Sequence, residues 1–156
     1  MPQGNVDVRI RPALEADLNQ VIALDQQVTG KRKQAYWKDL YERYRSRRQQ
    51  QRFFFVAEAA GGGSSRILGF IIGEVRAWEF GSAPCGWVFA ISVDPDARLE
   101  GVGDALFDTI SESFRKLGVS KLRTVVSTGN HLLLSFFRAQ GLMAGPYLQL
   151  EKPLND

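Results

Sequence analysis

The sequence predicts a mixed α/β (α+β) fold, and three observations carry that reading. Strand-like apolar segments are interleaved with segments whose apolar residues recur at helical spacing. Two of the strand-like segments are joined by Gly61-Gly62-Gly63-Ser64-Ser65, as the arms of an antiparallel hairpin would be. Further on, an apolar strand runs through a glycine-containing turn into an amphipathic helix and then another strand, a crossover of the kind that joins parallel neighbours.

Val6 to Ile10 alternate apolar and polar residues, which predicts a half-buried first strand. After Pro12, the spacing of Leu14, Leu18, Val21, Ile22 and Leu24 predicts a helix. A second helix is expected from Gln34 to Gln50, carrying Tyr36, Trp37, Leu40, Tyr41 and Tyr44 on one side. Arg52 to Ala60 and Arg66 to Trp78 read as the hairpin strands, and Trp87 to Val93 as a central strand. Val102, Leu106, Ile110 and Phe114 stand four apart and give the helix from Gly103 to Leu117 a buried stripe, with Asp104, Asp108 and Glu112 outside it. Leu122 to Ser127 is the next strand. A helix capped by Thr128 or Asn130 and stopped near Gly141 follows. Tyr147, Leu148 and Leu150 predict a last strand after Pro146.

At 156 residues, one domain with a substantial core is expected over 1–156. No apolar run approaches the roughly 20 residues of a bilayer span, and the N-terminus lacks the apolar core of a signal peptide. The expectation is a cytoplasmic protein that does not enter a membrane. Cys85 is the only cysteine and His131 the only histidine, which excludes an internal disulfide and argues against a zinc site. The net charge of +3 suits an anionic ligand without specifying one.

The richest stretch is Trp87 to Leu106. Here Asp94-Pro95 leads into Arg98-Leu99-Glu100-Gly101-Val102-Gly103 and a helix start. Main-chain N–H groups at a helix's positive end form an anion site, glycines let a ligand approach the backbone, and Arg98 adds a permanent cation. A phosphate or diphosphate is the expected guest.

This stretch resembles the acyl-CoA-binding motif of the GNAT superfamily of N-acyltransferases, Arg/Gln-x-x-Gly-x-Gly/Ala between a strand and a helix. Asn130 followed by Phe136-Phe137-Arg138-Ala139-Gln140-Gly141-Leu142 resembles the family's second motif, and Ile10-Arg11-Pro12-Ala13 with Asp17-Leu18 its N-terminal segment. Together these cover most of the chain. The resemblance implies a central mixed sheet of six or seven strands flanked by about four helices. It implies acetyl-CoA as the cofactor, no metal, and direct transfer of an acyl group to a primary amine on a small molecule, peptide or protein.

The resemblance also implies a wedge between the central strand and the strand at Leu122. Backbone groups of Ile91, Ser92 and Val93 would hold the pantetheine arm there. The diphosphate would rest on Leu99, Glu100, Gly101, Val102, Gly103 and Asp104 beside Arg98, with Asn130 on the arm's other side and Phe137 lining the thioester channel. Two departures stand out. The family's acid tyrosine falls on Phe137, and Gly86 to Val93 holds no carboxylate. Glu74 and Glu79, on the segment beside the central strand, are therefore the candidate bases, with Glu79 preferred for its neighbours Trp78 and Phe80, and Tyr147 is the candidate acid, with solvent as the alternative. Tyr36, Trp37 and Tyr41 are candidate acceptor contacts.

Other readings fit less well. A dinucleotide oxidoreductase would need a glycine at Leu106, and a nucleoside triphosphatase a Lys-Ser/Thr after the glycines. A non-catalytic acyl-CoA-binding module remains open because of the two departures. The basic run from Lys31 to Arg52 is read as a solvated helix face rather than a nucleic-acid surface. A homodimer is compatible with the sequence but not specified by it.

Overall fold

In the computed structural model, residues 8–45, 51–60, 66–98 and 101–155 are described, in two units that meet between Val125 and Val126. The first unit holds a sheet in the order β1 (Val8–Pro12), β2 (Arg52–Ala59), β3 (Ile67–Arg76), β4 (Cys85–Val93) and β5 (Leu122–Thr124). The first four strands are antiparallel neighbours, and β5 joins β4 in parallel. This is the mixed α/β class read from the sequence.

One sheet face is covered by α1 (Leu18–Thr29) and α2 (Gln34–Tyr44), whose Val21, Ile22, Trp37 and Leu40 pack with Phe54, Val56, Phe70 and Ile72 of the strands. Trp37 is 2% exposed and donates its indole N–H to buried Asp25 at 3.0 Å, so its polar atom is satisfied inside the core. The entry to α1 is pinned by charge. Arg11 binds Asp17 at 2.6 Å and Glu58 at 2.8 Å, and Asp17 also accepts the Leu14 N–H at 2.7 Å. Burial alone would raise the Asp17 carboxyl, but these donors hold it below the usual range.

The other face carries α3 (Val102–Lys116), with the expected stripe of Val102, Leu106, Ile110 and Phe114 fully buried. Glycines set the approach. A Cβ on Gly73 would stand 2.8 Å from Ile110 Cδ1, and one on Gly86 would stand 2.5 Å from the Phe114 ring. The second unit contains α4 (His131–Ala139), begun by Asn130, whose Oδ1 accepts the Leu133 N–H at 3.1 Å.

Several boundaries differ from the sequence reading. The sheet has five strands among the described residues, not six or seven. Tyr147 to Leu150 are not a strand; Leu148 and Leu150 are each 83% exposed, and among the described residues of that unit α4 is the only regular element, so no ladder within it pairs them. β5 ends at Thr124 rather than Ser127. The helix expected to Gln50 ends at Tyr44, and residues 46–50 lie outside the described residues, as do Val6 and the Gly61–Ser65 turn.

Candidate active site

β4 changes phase in its middle. Ile72 faces Ala90 but Gly73 faces Val88, so Phe89 is an extra residue, a β-bulge. Before it, backbone groups of the even-numbered residues point to β5: Gly86 N–H donates to Lys121 O at 2.9 Å, and Val88 O accepts from Thr124 Oγ1 at 2.9 Å. After it, even-numbered residues turn to β3 instead. Asp94 N–H donates to Leu68 O at 2.7 Å, and Ser92 O lies 2.7 Å from where a Gly69 Cβ would stand.

Pairing with β5 ends at Val88 opposite Thr124, while β4 continues to Val93. The backbone groups of Ile91 and Val93 therefore face an edge with no strand beside it among the described residues. Those of Ser92 are committed to β3, which separates it from its two neighbours in the expected trio.

Beyond this edge the chain turns sharply. Asp94 accepts the Asp96 N–H at 3.0 Å through Oδ1 and binds Arg66 at 3.1 Å through Oδ2, bracing the turn at Pro95–Ala97. Gly101 takes a left-handed conformation, φ +78°, and a Cβ there would meet nothing within 4 Å among the described residues. Its carbonyl accepts the first intrahelical bond, from Ala105 N–H at 3.0 Å, so the amides of Val102 and Gly103 have no acceptor within the helix. Arg98, directly after the Pro95–Ala97 turn, is exposed, and Asp104 is an exposed acid of the first helical turn. Leu99 and Glu100 lie outside the described residues.

On the α1/α2 face of the sheet, the carboxylates occupy settings unlike those expected. Glu74 binds Arg52 at 2.9 Å and Arg76 at 3.4 Å. Glu79 sits in a short turn after β3, half exposed, with Arg76 at 3.6 Å. Its neighbours Trp78 and Phe80 are 74% and 78% exposed with positive φ, so they turn outward and give the carboxylate no apolar enclosure. Arg76 lies 4.7 Å from the Phe89 ring centre and 5.8 Å from that of Trp87.

Among the aromatic candidates, Trp37 is a core residue and not an acceptor contact, because its ring is enclosed by Phe54 and Phe70. Tyr36 is exposed beside Lys33, and Tyr41 is half-buried against the core. Tyr44 was not singled out by the sequence as more than a helix-face residue. Its hydroxyl is pushed up to about 12, by burial first and then by the Glu74 charge, and Arg52 stacks on its ring at 5.5 Å.

Three candidates belong to the second unit. Asn130 spends its side-chain oxygen on the α4 cap, Phe137 is buried with Phe136 against it, and Tyr147 is half exposed. The bulge at Phe89 and the Arg52–Glu74–Arg76 chain were missed, because both depend on strand register. Among the described residues, no cluster of three or more His, Cys, Asp or Glu is placed to hold a metal, and no helix is long and apolar enough to cross a membrane.

Residues 18–142 match a model of the acetyltransferase (GNAT) family. No curated protein sequence matches the chain. Among solved structures it is similar to an aminoglycoside N-acetyltransferase, AAC(6')-Iy, in complex with CoA, at 19% identity and TM-score 0.79 over 99% of both chains. A glucosamine-6-phosphate N-acetyltransferase from Arabidopsis thaliana is similar at 19% identity and TM-score 0.72, over 96% of this chain and 99% of that one. A transcriptional regulator from Bacillus halodurans C-125 gives 16% identity and TM-score 0.77, over 95% and 100%. At these identities the likeness establishes the fold.

Proposed function

The chain belongs to the acetyltransferase (GNAT) family, and from that premise we propose that it moves an acetyl group from acetyl-CoA to a primary amine by direct transfer. The observation that carries the reading is the continuity of two features. The unpaired β4 edge at Ile91 and Val93 is followed, one turn later, by the α3 amides at Val102 and Gly103.

The residues fit the cofactor. An amide-bearing arm can pair with the open edge as an added strand would, through Ile91 and Val93. A diphosphate suits the start of α3, where backbone N–H groups and the helix dipole favour negative charge, and the space above Gly101 admits it. Arg98 adds a charge-assisted donor. When bound, acetyl-CoA supplies an acyl thioester whose carbonyl carbon passes to the amine nitrogen with release of the thiol.

The chain's own groups then have distinct tasks. Past the bulge the odd-numbered backbone groups of β4 turn to the open edge, so a main-chain N–H there, beside the bulge, is the donor we assign to the developing oxyanion. An alkylammonium of pKa near 10.4 needs about 4–5 kcal/mol to reach its neutral form at pH 7. We assign that proton to Glu79 through water, because both oxygens of Glu74 are held by arginines. Solvent returns a proton to the thiolate.

A melting-temperature titration with acetyl-CoA, NADPH and ATP tests the cofactor, and thiol release across an amine and peptide panel tests the transfer. Stabilisation by acetyl-CoA alone, with thiol release for some amine, is expected. Stabilisation without release from any amine would favour a binding module, which Phe137 and the carboxylate-free β4 also permit. Gly103→Val should weaken acetyl-CoA binding.

A further inference from the structure

Resting on that transferase reading, we infer that the acceptor is an amine with an apolar or aromatic body and one carboxylate, which the Arg76 guanidinium receives. Arg52 and Glu74 stand opposite each other in the β2–β3 register, and Glu74 opposite Trp87 in the β3–β4 register, so all three project from one face. Arg76 and Phe89 join them by ring contact. This face is opposite the one that α3 covers, and it includes the bulge at which the acyl carbonyl is assigned.

Charge on this face selects against polyamines. Two guanidinium groups share the single carboxylate of Glu74, one on each oxygen. The remaining acid, Glu79, lies at the outer margin with Arg76 beside it. A polycationic amino sugar needs several unengaged carboxylates, and the described residues of this face provide none.

The two arginines are not equivalent. Arg52 is held by Glu74 at 2.9 Å with a side chain 27% exposed. Arg76 reaches its carboxylates only at 3.4 and 3.6 Å, is 36% exposed, and lies against Phe89, itself 44% exposed. Loose partners, planar support and access to solvent leave its fork able to take a carboxylate bidentately. The neighbouring rings of Trp87 and Phe89 supply surface for an apolar body.

Thiol release is measured with two matched pairs, tryptophan against tryptamine and phenylalanine against phenethylamine, with neamine as the polycation. The amino acids should have the higher kcat/KM. Arg76→Gln should erase at least about tenfold of that advantage, the size expected when a hydrogen bond to a charged group is lost. Arg76→Lys should erase part of it, and Arg43→Gln on exposed α2 none. The ratio within a pair is the readout because any disturbance of Glu79 acts on both members alike, and urea midpoints identify a variant that merely unfolds. Fastest release with tryptamine, phenethylamine or neamine, or a ratio unchanged in Arg76→Gln, overturns the inference while the transferase reading stands. Release with no amine at all overturns the transferase reading, and this inference with it.

Discussion

A methyl group on Gly86 would stand 2.5 Å from the ring of Phe114. That contact sets how closely α3 lies on β4. Since the same helix carries the Val102 and Gly103 amides at its start, packing near its far end influences where the anion site is held.

Gly86→Ala is therefore expected to destabilise the protein by about 1–3 kcal/mol, the usual cost of overpacking a filled core. Urea denaturation would show it as a lower midpoint at unchanged slope. Acetyl-CoA affinity should fall as well, although Gly86 is distant in sequence from the proposed diphosphate amides. An unaltered midpoint would mean that the helix is not seated against this strand.

Glu79→Gln should lower kcat by about 100-fold or more, in the range general-base catalysis contributes, while acetyl-CoA binding is unchanged. Initial rates against both substrates, with a separate acetyl-CoA titration, separate the two effects. A variant with full turnover would remove Glu79 from the base role.

Acid stability should depend on Asp17. Its folded pKa is depressed by Arg11 and the Leu14 N–H, so its contribution is present above the unfolded value of about 3.9 and is lost as pH falls through the folded value. Urea midpoints from pH 6 to pH 2 should fall less steeply for Asp17→Asn, from a lower starting point, than for the parent.

Tyr44 gives the opposite limb. Its folded pKa of about 12 exceeds the ordinary value of 10, so the folded state retains the proton longer and stability declines as pH rises between those values. Tyr44→Phe should flatten that decline. An identical alkaline limb in both proteins would show that burial and Glu74 do not govern this hydroxyl.

What the sequence made legible was local. The α3 stripe from Val102 to Phe114, the Asn130 cap and the strand-to-helix turn at Gly101 each follow from spacing or from one residue's backbone preference. Register was not legible. Apolar residues occupy both parities of β4, so nothing in Trp87-Val88-Phe89-Ala90-Ile91 reveals that the strand changes phase at Phe89. The pairing of Glu74 with Arg52 and Arg76 was hidden for the same reason. Aromatic neighbours misled in both directions: Trp37, a proposed acceptor contact, is in the core, whereas Trp78 and Phe80, expected to shelter Glu79, turn to solvent. Tyr147, Leu148 and Leu150 after Pro146 predict a strand, but pairing needs a neighbour that composition alone does not supply.

The most direct measurement is a titration of the 15N-labelled protein with CoA, followed by amide resonances. The largest shifts should fall on Ile91, Val93, Val102 and Gly103, with Ser92 less affected because its main chain is bonded to β3. Saturating CoA that leaves those four amides in place, or moves only resonances remote from β4 and the start of α3, would contradict the assignment of the acyl-carrier site.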